Sequence, residues 1–153
     1  MDNSNEVTKW LEWLVGKRLT SILTSVYVPI AEGQAELIEV TIEVDGAARG
    51  KLLLSSDGES ISYDPNPLKS ADMGELGKIE TKASPLGDAW NLIGAVVCDA
   101  RLVRRGNILV GVELGFSTGS SLLLMNIGDR LLLLRDRGHP FFGEGVFVFE
   151  SAI

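Results

Sequence analysis

Residues 121–136 read "SLLLMNIGDRLLLLRD", two leucine-rich runs on either side of Asn126-Ile127-Gly128-Asp129. Leucine alone favours helix, but a helix through this stretch would hold Asn and Gly mid-span and be apolar on nearly every side. Two short runs parted by an Asn/Gly/Asp turn predict a β-hairpin instead. Apolar residues at consecutive positions then require both strand faces to be covered, or one face to be closed by a helix. Gly128 is expected at a positive-φ turn position, with the Asp129 carboxylate accepting turn N–H groups.

The hairpin has a counterpart upstream. "LLLSSDGESISY" (52–63) aligns with "LLLMNIGDRLLL" (122–133): four residues separate Leu54 from Gly58, and four separate Leu124 from Gly128. An acid follows each glycine (Glu59, Asp129), and an apolar residue sits three after it (Ile61, Leu131). The preceding strands match, "IEVTIEVDG" with "VGVELGFSTG". So do "WLVG" (13–16) with "WNLIG" (90–94), and "MGELGKIE" (73–80) with "FGEGVFVFE" (142–150). Landmarks in the same order predict a duplication, one domain of two pseudo-repeated halves, residues 1–83 and 84–153. A unit of three or four strands struggles to bury its own apolar face, so the halves are expected to share one core.

The rest of the chain fits this frame. In "NSNEVTKWLEWLVGK", Val7, Trp10, Leu11, Leu14 and Val15 recur at helical spacing. Asn3 and Glu6 suit a capping box and Gly16 a left-handed stop. Downstream the period changes to two. Ile38, Val40, Ile42 and Val44 alternate with Glu39, Thr41, Glu43 and Asp45, as Val110, Val112, Leu114 and Phe116 alternate with Gly111, Glu113 and Gly115. The expected class is α+β, an N-terminal helix with a mostly antiparallel sheet system of about eight strands.

Charge and composition narrow the function. Residues 1–76 carry 13 acids and 6 bases, and residues 77–153 carry 8 of each, so the whole net charge of −7 lies in the first half. A net-acidic chain repels phosphate backbones, which disfavours nucleic acid as a partner. The apolar runs are far shorter than the roughly 20 residues that span a bilayer, so no membrane role is expected. "MDNSNEV" has neither a basic nor an apolar leader region, and the lone cysteine, Cys98, reads as a buried, inert thiol. Both point to the cytoplasm.

Nucleotide-binding, nucleophile-elbow and metalloprotease patterns are missing, and one Cys with one His does not make a zinc site, so neither catalysis nor a cofactor or metal is expected. His139, between Gly138 and Pro140, reads as a turn histidine. Glu75 and Glu144 occupy matching repeat positions and could converge with His139 in a pocket between the halves, the setting for a small-ligand-binding or hydrolytic alternative. As neighbours of turn glycines, these acids read more simply as acceptors of backbone N–H bonds.

The run "VGVELGFSTGSSLLLMNIGDRLLL" (110–133) resembles a segment of small uncharacterised bacterial β-rich proteins, several of them in immunity families of polymorphic toxin systems. The resemblance rests on the alternating strand, the turn at Thr118-Gly119, and Asn126-x-Gly128-Asp129 before Leu131. Those families often carry an acid after the Gly-Asp, where this chain has Arg130. It implies a stoichiometric, non-catalytic binder of a protein partner such as a basic toxin domain, with which the acidic half is compatible. Glu39, Glu43 and Asp45, on one strand face, are the expected contacts. Homodimerisation through an exposed edge strand is a further expectation.

Overall fold

The computed structural model describes residues 4–31, 33–143 and 145–153. Helix α1 (Ser4–Leu14) buries Val7, Trp10, Leu11 and Leu14 on one face, as the spacing requires. It stops at Gly16, whose φ is +88°. Asn3, the expected cap, lies outside the described residues.

After the helix the chain meets its own second half. Gly16 N donates to Val97 O at 2.7 Å, and Gly94 N donates to Leu19 O at 2.8 Å. Leu19 N donates to Ala95 O, and Val97 N to Lys17 O, both at 2.9 Å. Adding 78 to each first-half residue turns one bond of each pair into the other. Arg18 and Val96 face one another at the centre as an antiparallel bridge. Gly94 has the same φ as Gly16, +88°. The two halves are thus related by a local pseudo-two-fold axis through this bridge.

Each half makes one antiparallel sheet. The first contains β1 (Leu19–Val28), β2 (Glu36–Val44), β4 (Lys51–Leu54), β5 (Ile61–Asp64) and β7 (Lys78–Ala83), in the order β5-β4-β2-β1-β7. The second contains β8 (Val97–Arg105), β9 (Ile108–Phe116), β10 (Ser121–Asn126), β11 (Leu131–Leu134) and β12 (Phe147–Ser151), in the order β11-β10-β9-β8-β12. Strand for strand the orders are the same. Register agrees to the residue: Ile22 pairs with Ile42 as Ala100 pairs with Leu114, and Ser25 with Glu39 as Val103 with Gly111. Even the irregularities repeat, with bulges between Leu19/Ser21 and Val97/Asp99, and between Ser25/Val26 and Val103/Arg104. The first sheet adds two-residue strands, β3 (Ala47–Ala48) on β2 and β6 (Ala71–Asp72) on β7. The described strands therefore number twelve rather than eight, because several are too short to show a period.

Each helix reaches across to the other half. α1 packs on β8 and β5, while the four-residue α2 (Leu86–Ala89) packs on β1. One buried cluster draws on both sheets and α1, with Leu14 and its counterpart Leu92 both fully covered. The α+β class and the shared core are as the sequence indicates.

Three local readings need correction. Leu54 pairs with Ile61 and Asn126 with Leu131, so Leu54 corresponds to Asn126, not Leu124; the second turn is two residues shorter. Cys98 is exposed rather than buried, because the bulge between Val97 and Asp99 takes it out of alternation. Glu113, expected outward, is buried, because the loop after β11 covers that face.

The opening stretch is a two-residue hairpin. Ile127 and Arg130 exchange N–H···O bonds of 2.9 and 3.2 Å, and Gly128 and Asp129 have φ of +59° and +62°, the signature of a type I′ turn. The side-chain acceptor is Asn126, not Asp129: Asn126 Oδ1 takes the Asp129 N–H at 3.0 Å, and its amide donates to Ser60 O of the other hairpin at 3.1 Å. Gly58, at φ +75°, faces the Asp129 carboxylate, so the two turns touch. The space around a Cβ at Gly128 is open, leaving backbone strain as the whole cost of Gly128→Val, about 1–3 kcal/mol. Asn126→Ala, which removes the acceptor of the Asp129 N–H and one of the donors to Ser60 O, is expected to cost about 1 kcal/mol, and Asp129→Ala less than either. Urea unfolding of the three variants gives the order.

The first hairpin is held differently. Asp57 accepts the Ser60 hydroxyl at 2.6 Å and the Ser60 and Glu59 amides at 2.8 Å each, which hold its carboxyl down at about 2. A depressed carboxylate pKa contributes stability that is present above the unfolded value and lost as pH falls through the folded one. Asp57→Ala should therefore lower the Tm at pH 7, and the gap to the parent protein should close as pH falls from about 4 towards 2. Equal gaps at pH 7 and pH 2 would remove this role from Asp57.

Candidate functional site

The three acids expected to meet a partner are not a free acidic stripe. Glu39 is largely covered, its carboxylate 2.6 Å from Lys51 Nζ. Glu43 accepts from Thr20 Oγ1 at 2.8 Å. Asp45 is exposed, but it holds the turn after β2, with Arg18 N donating to its carboxylate at 3.1 Å. The alternative pocket fares no better: Glu75 is exposed in a 3-10 turn, His139 Nδ1 accepts the Phe141 N–H at 3.1 Å, and neither lines the two openings described below. Glu144 lies outside the described residues.

Where the halves differ is more informative. The outer face of the second sheet carries a small core of its own: Val103, Val110, Leu123 and Met125 are buried beneath Phe141, Phe142, Phe147 and Phe149. Beside it Glu113, 2% exposed, accepts two bonds from Arg137 at 2.7 and 2.6 Å and one from Arg101 at 3.1 Å. The Arg137 guanidinium lies 3.5 Å from the centre of the Phe149 ring, and bonding to Glu113 pushes its pKa further up. Paired and stacked, a buried carboxylate is tolerated there.

On the first sheet the register puts Ser25 at the place of Val103, Lys51 at Leu123, Thr41 at Glu113 and Thr81 at Phe149. The bulky residues are gone, and a cleft of about 560 Å³ remains. One wall is the sheet, with Leu23, Thr41, Thr81 and Ala83. The other is the overlying chain at Ala48–Gly50 and at Pro65, Pro67 and Leu68.

The second opening is a groove of about 350 Å³ between the halves, lined by Thr24 and Val26 of β1, Leu37 and Ile38 of β2, Leu54, and Leu131–Leu133 of β11. Its counterpart across the axis is covered by α1, beside which an opening of about 310 Å³ remains at Glu6, Trp10 and Tyr63. There α1 lays Trp10 against Tyr63 with ring centres 6.4 Å apart, and Ser4 Oγ accepts from Arg104 at 2.7 Å. Tyr63 corresponds to Leu133 and Arg104 to Val26. The groove is open because α2 spans four residues where α1 spans eleven, and the 78-residue offset places Pro85 and Asp88 where α1 has Val7 and Trp10.

At the far edge of the second sheet, β12 pairs among the described residues only with β8, and Val146 and Val148 are 81% and 51% exposed. Among the described residues no group of three His, Cys, Asp or Glu is placed to hold a metal ion, and no helix is long and apolar enough to cross a membrane. The chain matches no protein-family model, and no curated protein or solved structure is significantly similar to it.

Both openings follow from duplication and could be found in the sequence only through the aligned halves, by noting that Thr81 stands where the second half has Phe149. The same comparison singles out Ser25. It is fully buried, and its hydroxyl has no hydrogen-bond partner among the described residues. Its counterpart is Val103. Ser25→Ala should therefore stabilise the fold by about 1 kcal/mol, read as a raised urea midpoint at unchanged slope.

Proposed function

We propose that the protein is a non-catalytic protein-binding module whose groove between the halves receives an amphipathic helix from a partner. The observation that carries this reading is α1 itself, seated on the equivalent surface across the axis. A partner helix would lay an apolar stripe at i, i+3 and i+4 along Val26, Leu37 and Leu133, with a large side chain where Trp10 lies in the filled seat. An immunity-type role, stoichiometric inhibition of a toxin domain, is the finer form of the proposal. The net charge of −7 favours a basic partner by steering the encounter. An exposed, unpaired thiol at Cys98 suits a reducing compartment, so we place the module in the cytoplasm.

A labelled peptide copying residues 4–15, "SNEVTKWLEWLV", is the probe. It should bind saturably at one site by fluorescence anisotropy. Ala35→Trp, at the exposed rim of the groove, should weaken binding at least tenfold without lowering the Tm, and Trp10→Ala within the peptide should do the same. Ala48→Trp, in the other cleft, should leave binding unchanged. Absence of binding at about 1 mM peptide, or binding indifferent to Ala35→Trp, would overturn the reading.

A further inference from the structure

We propose that the cleft on the outer face of the first sheet is a second, separate binding site, for a small molecule with an apolar body and one acidic group, such as a medium-chain carboxylate. Its volume of about 560 Å³ falls within the range of small-molecule sites. The second half shows what such a space holds when filled. There the face is covered by phenylalanine rings with the Arg137 guanidinium against them, which is an apolar body with a charge at its margin.

The charge lining the cleft has one sign. Among the described residues Arg49 and Lys82 line it, Lys82 bordering the groove between the halves as well, and no acid does, in a chain that carries a net −7. Neither cation has an ion-pair partner among the described residues, although the acids nearby do: Glu39 binds Lys51 and Glu80 binds Lys78. The Arg49 guanidinium rests 5.0 Å from the centre of the Trp13 ring, a contact that positions it without neutralising it. A carboxylate entering beside Leu68 and Pro67 would find a free cation at the mouth and apolar surface within, the arrangement that fixes the orientation of a small amphiphile.

The walls are prearranged. Thr41 Oγ1 donates to Gly50 O, drawing the Ala48–Gly50 segment onto the sheet. Lys51 Nζ donates to Pro67 O at 3.3 Å, and the Thr81 N–H to Ser70 Oγ at 3.2 Å, so the overlying segment is tied at two points. Little ordering would be left for a ligand to induce, which favours affinity.

Calorimetric titration with octanoate, and with 1-octanol as the uncharged control, tests the site on the full chain carrying Ala35→Trp. With the groove blocked, this result is independent of the helix-binding reading. Octanoate should bind one to one and at least fivefold more tightly than octanol. Arg49→Gln should remove that preference, and Thr81→Phe, which restores the second half's residue, should abolish binding with the Tm retained. Ala48→Trp is the second filling variant should Thr81→Phe disturb the strand. No octanoate binding, equal affinity for octanol, or binding that survives both filling variants overturns the proposal.

Discussion

Four backbone hydrogen bonds between Gly16–Leu19 and Gly94–Val97 join the two sheets, and the rest of the molecule is arranged around them. They are exchanged in symmetric pairs, so the direction in which α1 hands over to β1 fixes the direction in which α2 hands over to β8. Two glycines at φ +88° make the handover, a region that side chains with a Cβ enter at a cost. Once the pairs form, α1 lies against β8 of the second sheet as well as β5 of the first, and α2 lies against β1 of the first. Neither sheet then has a complete cover of its own: Leu102 and Val112 of the second share a cluster with Ile22 and Val40 of the first. A single hydrophobic core results from two units that are each too small to close one.

The duplication also accounts for the surface. Backbone register, strand order and both pairs of bulges are retained, so the differences between the halves lie in side chains and in the length of the second helix. One outer face carries Val103, Leu123, Met125 and four phenylalanines; the other carries Ser25, Lys51, Leu53 and Thr81. Buried aromatic area is the largest stabilising contribution a small face can gain, so the second half gains local stability from its face. The first half leaves the corresponding volume open. The groove arises in the same way, from a shorter helix with Pro85 and Asp88 in place of Val7 and Trp10.

Much of this was legible in the residues. The helix follows from apolar spacing, the hairpin from Asn126-Ile127-Gly128-Asp129 between apolar runs, and the duplication from repeated glycines at Gly16/Gly94 and Gly58/Gly128. The failures have physical causes. Cys98 and Val110 sit at bulges, where a period of two breaks and a residue changes face. Glu113 looked solvated because alternation reports only the strand's own face, not the loop from Arg135 onward that folds back over it. The acidic row on β2 looked free because its partner Lys51 lies on the neighbouring strand, a separation that spacing along the chain does not reveal. Both openings are properties of what is missing from one half. A linear reading has no sign for an absent side chain.

The crosswise placement of the helices has a topological consequence. Ser84 N donates to Ile22 O at 2.7 Å where β7 runs on into α2, and its counterpart, Ala152 N to Ala100 O at 3.0 Å, stands at the end of β12. By the same operation that relates the halves, the end of β12 is directed towards the start of α1, as β7 is towards α2. The order of elements is therefore cyclic: helix, sheet, helix, sheet, and back to the first helix. A chain opened before α2 would leave the same sheets to pair.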